Sequence, residues 1–139
     1  MASHVIDFLI LGNNFGTSEM RAIWSEQHRL EKQVQVEVAL AQAQGELGVI
    51  PREVADAIIE KADASQLSIE QIADEAAKAK HSLMSTINAL QKQVGEAGQF
   101  IHYGATTQDI VDTATVLQLK QSFSIIERYT KLIANELKR

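Results

Sequence analysis

Phe100–Lys120 reads FIHYGATTQDIVDTATVLQLK. It joins a polar cluster to the start of an amphipathic run. Gly104 allows backbone conformations closed to other residues, and it is followed by adjacent threonines at 106 and 107. Thr107 can cap a helix, and Asp109 falls in the first turn, where its charge suits the helix dipole. From there Val116, Leu119, Phe123, Ile126, Ile133 and Leu137 keep four-three spacing, with Thr130 filling the one gap. That is a heptad-like seam running to the end of the chain, suited to a helix bundle.

The rest of the sequence is helical in the same manner. Ala, Leu, Ile and Val carry a hydrophobic fraction of 45%, aromatics make up 5%, and Pro51 is the one proline. With many Gln, Glu and Lys residues, that composition predicts an all-α chain. Thr17 or Ser18 can cap a long helix from about Glu19 to Leu47, ended by Gly48. Pro51 suits the first turn of a helix reaching about Ala62. Ser68 and Gln71 have the spacing of a capping box for a helix ending near Lys80. Another helix spans about Leu83 to Val94, and Gly95–Gln99 reads as a turn.

Two features bear on size and context. The chain has 139 residues, the length of one ordinary domain. The last seam nevertheless needs partner helices of its own length, and the first helix alone approaches it. The expectation is a piece of a larger helical protein, or a seam that pairs with other copies of the chain.

Charge and special residues exclude several classes. Thirteen scattered basic residues against 18 acidic ones, net −5, give no nucleic-acid footprint. Without cysteine there is no disulfide, Cys–metal site or thiol nucleophile. No histidine pair has metal-ligand spacing with carboxylates, so no metal site is expected. Val5–Gly12 is apolar but short, interrupted by Asp7, and lacks the flanks of a secretion signal. No run is long enough to span a bilayer, and a cytoplasmic location is expected. Met1–Ser3 read as initiator or vector-derived residues.

HYGATTQD has its own chemistry. A helix N-terminus carries partial positive charge and unpaired N–H donors, which suit a carboxylate or phosphate. Thr106 and Thr107 add hydroxyls, and Gln108 adds an amide. His102 can donate to an anion or move a proton near neutral pH. By itself the pattern is first of all that of a capped helix start with a satisfied histidine. His81, at a helix break in AKHSLM, is likewise first a capping residue. His4 and His28 lie at the terminus and on a mostly solvated helix face.

Two separated blocks change that balance. EMRAIWSEQHRLEKQVQVEVALAQAQGELGVIP (Glu19–Pro51) resembles an early helix of the fumarase/aspartase superfamily, within it the adenylosuccinate lyase group. FIHYGATTQDIVDTATVLQLK resembles that family's H-x-G-x-T-S-x-D-x-x-D-T-A block. Between them, the stretch from His81 sits where the family has a histidine-led helix.

The resemblance implies an all-α fold. Residues 1–110 would form the N-terminal helical lyase domain, and residues 111–139 the first part of a central-bundle helix domain. It implies a cofactor-free lyase that removes a proton beta to a carboxylate and expels an amine or oxygen group, releasing fumarate or a relative. Thr106, Thr107 and Gln108 would bind substrate carboxylate. His102 and His81 would be the active-site histidines, and Asp109 a structural cap. The substrate would be a dicarboxylate or tricarboxylate, with a nucleotide, and so purine biosynthesis, as one option. The assembly would be a homotetramer with active sites shared among three subunits.

Departures from the pattern leave the substrate open. NNFGTSEM has no arginine before Arg21, where adenylosuccinate lyases often carry Arg-Tyr for the nucleotide phosphate. T-T-Q-D and VLQLK also resemble the 3-carboxy-cis,cis-muconate cycloisomerase branch, which tends to have Asn in place of His81. The family's later histidine block and mobile serine loop fall outside these 139 residues. An N-terminal fragment, inactive alone, is therefore expected. The contrasting reading is a non-catalytic helical oligomerisation module.

Overall fold

The structure is a computed structural model and describes residues 4–138. Met1–Ser3 and Arg139 lie outside the described residues. Among those described, helices and 3-10 turns provide all regular structure. The helices are α1 (Ser18–Ile23), α2 (Glu26–Glu46), α3 (Arg52–Lys61), α4 (Ile69–Ala79), α5 (Ser82–Val94) and α6 (Thr107–Glu136).

The long first helix expected from Glu19 to Leu47 is two helices. Thr17 Oγ1 accepts the Met20 N–H and starts α1. Ser25 then turns extended (ψ 153°), and its Oγ accepts the His28 N–H to start α2. Serine offers the backbone a local alternative to the helix ladder, so a break here is chemically cheap. Tertiary contacts complete it. The Ile23 carbonyl, freed at the end of α1, accepts from Gln118 Nε2 at 2.7 Å. Trp24 Nε1 donates to Ser122 Oγ at 3.0 Å.

The end of α2 follows expectation. Gly48 takes φ +70°, and the Val49 N–H returns to the Gln44 carbonyl at 2.8 Å. This is a Schellman closure, which satisfies carbonyls the helix leaves open. Pro51 stands one residue earlier than expected, as the N-cap of α3. Gly45 lies where a Cβ would run into the Ala55 Cβ, so its missing side chain lets α3 pack closely on α2.

Leu83, Ile87, Leu90 and Val94 form the buried stripe of α5. Together with Leu30, Val34 and Ala41 of α2, Ile58 of α3 and Ile110 of α6, they make one core. Burying each such aliphatic side chain contributes about 1.5–3 kcal/mol. The Gly95–Gln99 turn is realised as a 3-10 segment, Gly95–Phe100.

Helix α6 packs along α2 and buries Ile110, Ala114, Gln118 and Ser122. Its four-three seam lies outside that buried set. Phe123 is 63% exposed, Ile133 60% and Leu137 83%. The apolar seam is thus largely open among the described residues, with Ile126 and Ile133 lining a cleft beside Thr17 and Met20. The half of the helix that is covered includes polar Gln118 and Ser122, which the break between α1 and α2 requires.

Candidate active site

The polar cluster is a turn delivered by one long helix and held by another. The turn needs two left-handed residues, His102 at φ +66° and Gly104 at φ +70°. Glycine takes that conformation freely. A histidine takes it against steric resistance, and so requires other contacts to hold it. Helix α2 supplies them. Gln44 Nε2 donates to the Tyr103 carbonyl at 2.7 Å, and Glu37 Oε1 lies 2.7 Å from His102 Nδ1.

The sequence reading missed Glu37. Its side chain is only 2% exposed, and that of His102 is 13% exposed. Oε2 of Glu37 is buried with no hydrogen-bond partner among the described residues. Burial pushes its carboxyl above the ordinary value, while the hydrogen bond and charge of His102 work against that rise. A signal was present in the sequence. Leu30, Val34 and Ala41 define the buried stripe of α2, and Glu37 occupies the same stripe. A carboxylate in such a row calls for a partner.

Thr106, not Thr107, is the N-cap of α6. Its backbone is extended (φ −102°, ψ 156°), and Thr107 is the first helical residue. The physical reason is the capping box with Asp109, whose carboxylate accepts the Thr106 N–H at 3.0 Å. Asp109 is therefore turned back onto the cap. Gln108 Nε2 donates to Asp112 Oδ1 on the exposed side of the helix. Thr107 is half-buried. The α6 dipole is thus aimed at a turn that carries two hydroxyls and an anchored imidazole.

His81 sits elsewhere. It is exposed and caps α5, its Nδ1 accepting the Met84 N–H at 3.3 Å. It therefore caps the helix that follows it, not the carbonyls of the helix before. That acceptor role places its ring proton on Nε2. Ser82 and Thr86, just beyond it, line a cleft with Glu26, Arg29 and Gln33 of α2. Tyr103, Gly104 and Asp109 line another with Val36, Leu40 and Gln44 of α2. The two sets on α2 are centred about 15 Å apart along the helix axis. Among the described residues no hydrogen bond links His81 to the turn. His102, Thr106, Thr107 and Gln108 are brought together in one chain, and His81 is not joined to them.

Arg21 is the arginine nearest the NNFGTSEM stretch, and it is engaged inward. Its guanidinium donates to the Gly12 and Gly16 carbonyls and to Asn13 Oδ1. Among the described residues no cluster of three metal-ligating side chains is found, and no helix is long and apolar enough to cross a membrane.

The fold is thus all-α, with a long helix that starts at a polar turn and an imidazole held on a buried carboxylate. The family described as Lyase matches residues 14–139, and the chain belongs to it, within the fumarase/aspartase superfamily. N-acetyl-S-(2-succino)cysteine lyase of Dickeya dadantii (strain 3937) is 66% identical over all of this chain and 31% of its own length. Adenylosuccinate lyase of Methanocaldococcus jannaschii is 44% identical over 99% of this chain and 29% of its own.

Solved structures agree on the fold. Fumarate lyase from Mesorhizobium sp. BNC1 superposes with a TM-score of 0.75 at 39% identity, over 82% of this chain and 27% of that one. The 3-carboxy-cis,cis-muconate lactonizing enzyme from Pseudomonas putida gives 0.77 at 34% identity, over 82% and 27%. The chain spans about a third of the length of the curated relatives it matches.

Proposed function

We propose that this chain is the N-terminal part of a β-eliminating lyase that releases fumarate from a succinyl adduct, and that it supplies the carboxylate-binding turn. In such a reaction a base takes a proton beside the substrate carboxylate. The electron pair is held as an aci-carboxylate, the bond to the leaving heteroatom breaks, and that atom is protonated. The extra charge needs donors aimed at the carboxylate. The observation that carries the reading is the α6 N-terminus with Thr106 and Thr107 beside the anchored His102. Gln108 completes the set of substrate contacts, and Asp109 holds the turn.

The leaving group is read as a thiol. The 66% identity to a lyase named for N-acetyl-S-(2-succino)cysteine supports an S-succinylated, N-acylated cysteine as substrate. The inward engagement of Arg21 fits a substrate without a nucleotide phosphate. The second reading is adenylosuccinate, supported by the 44% relative. A muconate-type substrate is third, since His81 stands where that branch tends to carry Asn.

We further propose a division at residues 110 and 111 between a helical N-terminal domain and a bundle domain. The assembly is a homotetramer without cofactor. His81, which no hydrogen bond among the described residues joins to the turn, serves a site completed by another subunit. The base lies outside this chain, which is inactive alone.

The test is fumarate release by the full-length gene product, offered N-acetyl-S-(2-succino)cysteine and adenylosuccinate in parallel. Thr106→Ala with Thr107→Ala should abolish turnover and leave the assembly intact. Undiminished turnover in that double variant would favour a non-catalytic role for the turn. Turnover by residues 1–139 alone would show that the base is present after all.

A further inference from the structure

Glu37 has a geometry that packing alone does not explain. A carboxylate on the buried stripe of α2, between Val34 and Ala41, is a costly way to fill space. Its one hydrogen bond among the described residues goes to a histidine 65 positions away in sequence. That histidine holds a left-handed backbone (φ +66°) that a side chain disfavours. Gln44, two turns further along α2, holds the next carbonyl of the same turn. Helix α2 therefore fixes the turn twice, once through the backbone and once through the imidazole.

We propose that Glu37 is a positioning residue: its Oε1 accepts from His102 Nδ1–H, fixes the ring tautomer and leaves Nε2 as the nitrogen turned to substrate. This deepens the lyase reading and rests on it. Only Glu37 is seen on Nδ1, and Nε2 has no partner among the described residues. With Nδ1 carrying the proton, Nε2 of the neutral ring is an acceptor, and the charged ring donates from the same atom. Either way, the direction of the only free ring atom is set from α2 and not by the mobile end of a side chain.

The pairing also explains why the strained residue is a histidine. Glycine at 102 would relieve the backbone but leave the Glu37 carboxylate buried without any partner. Leaving a buried acceptor unpaired is costly, more so when it is charged. The contact with Glu37 therefore opposes the backbone strain at His102.

The experiment compares Glu37→Gln and Glu37→Leu in the full-length gene product, with histidine labelled at the ring nitrogens. His102 is assigned by the ring signals that His102→Gln removes. Ring nitrogen spectra should show Nδ1-protonated His102 in the parent protein and a changed tautomer balance in both variants. Turnover should fall roughly tenfold or more, through kcat rather than KM. In a His102→Gln background, Glu37→Gln should have little further effect, because both act through one group.

Each outcome decides. An unchanged His102 spectrum in both variants overturns the positioning role. A kcat loss that adds in full to that of His102→Gln also overturns it. So does full kcat in a folded Glu37→Leu variant, since the carboxylate would then do no more than fill space. Failure of the parent protein to release fumarate would overturn the lyase reading instead, and the ring spectrum would still decide the contact.

Discussion

Gln118 Nε2 donates to the Ile23 carbonyl at 2.7 Å, across 95 residues of sequence, from a side chain only 2% exposed. The bond closes the end of α1, where the chain leaves one helix to begin another. Replacing Gln118 with Met keeps the volume and removes the donor. The Ile23 carbonyl is then left without its partner. The variant should lose about 1–3 kcal/mol of stability in a denaturant titration. A change below about 0.5 kcal/mol would mean that the bond is not what fixes the break.

This contact marks where the sequence stops being legible. Periodicity revealed α6 because its four-three seam is a local pattern, although that seam is the exposed side of the helix. Gly48, Ser68 and Thr17 revealed ends because capping is local chemistry. The split at Ser25 was not visible. A serine inside an apolar pattern breaks a helix only if something distant takes up the freed groups, and here that is Gln118 with Ser122. Glu37 was passed over for a related reason. Its partner lies 65 residues on, beyond the reach of any local pattern. The cap moved from Thr107 to Thr106 because Asp109 reaches back by three residues, a choice between neighbours that composition does not make.

Glu37 also makes stability depend on pH in a direction that can be worked out. Burial holds its carboxyl above the ordinary value of 4.5. Above that pH the unfolded chain gives up the proton while the folded protein keeps it. The folded state then binds more protons, so this group's contribution to stability falls as pH rises. Glu37→Gln removes the titration. The stability of the parent minus that of the variant should therefore decline as pH rises from 4.5 through the elevated folded pKa. Paired urea titrations across that range measure it, and a difference that grew with pH would reverse the sign.

Gly98 tests the close approach of the 3-10 segment to α5. A Cβ there would come within 2.8 Å of the Gln91 Cα and against the Gln91 carbonyl, both of them backbone. Backbone cannot swing aside as a side chain can. Gly98→Ala should cost about 1–3 kcal/mol, the usual penalty of overpacking. Gly16→Ala is the control, since nothing lies within 4 Å of its Cβ position. Thermal unfolding of the two variants should separate them clearly.

The exposed seam of α6 predicts where copies meet. Phe123 and Ile126 are 63% and 50% exposed. Each buried apolar side chain contributes about 1.5–3 kcal/mol, and a symmetric assembly counts each one in every copy. Phe123→Glu with Ile126→Glu in the full-length gene product should therefore break the proposed tetramer, read as a fall in sedimentation mass. Helix content should hold, because neither side chain contributes to the core of the described residues. Fumarate release should fall with the mass, since His81 and the turn would no longer meet across subunits. A variant that stayed tetrameric would place the assembly on another face. One that became monomeric yet fully active would show that a single chain completes the site.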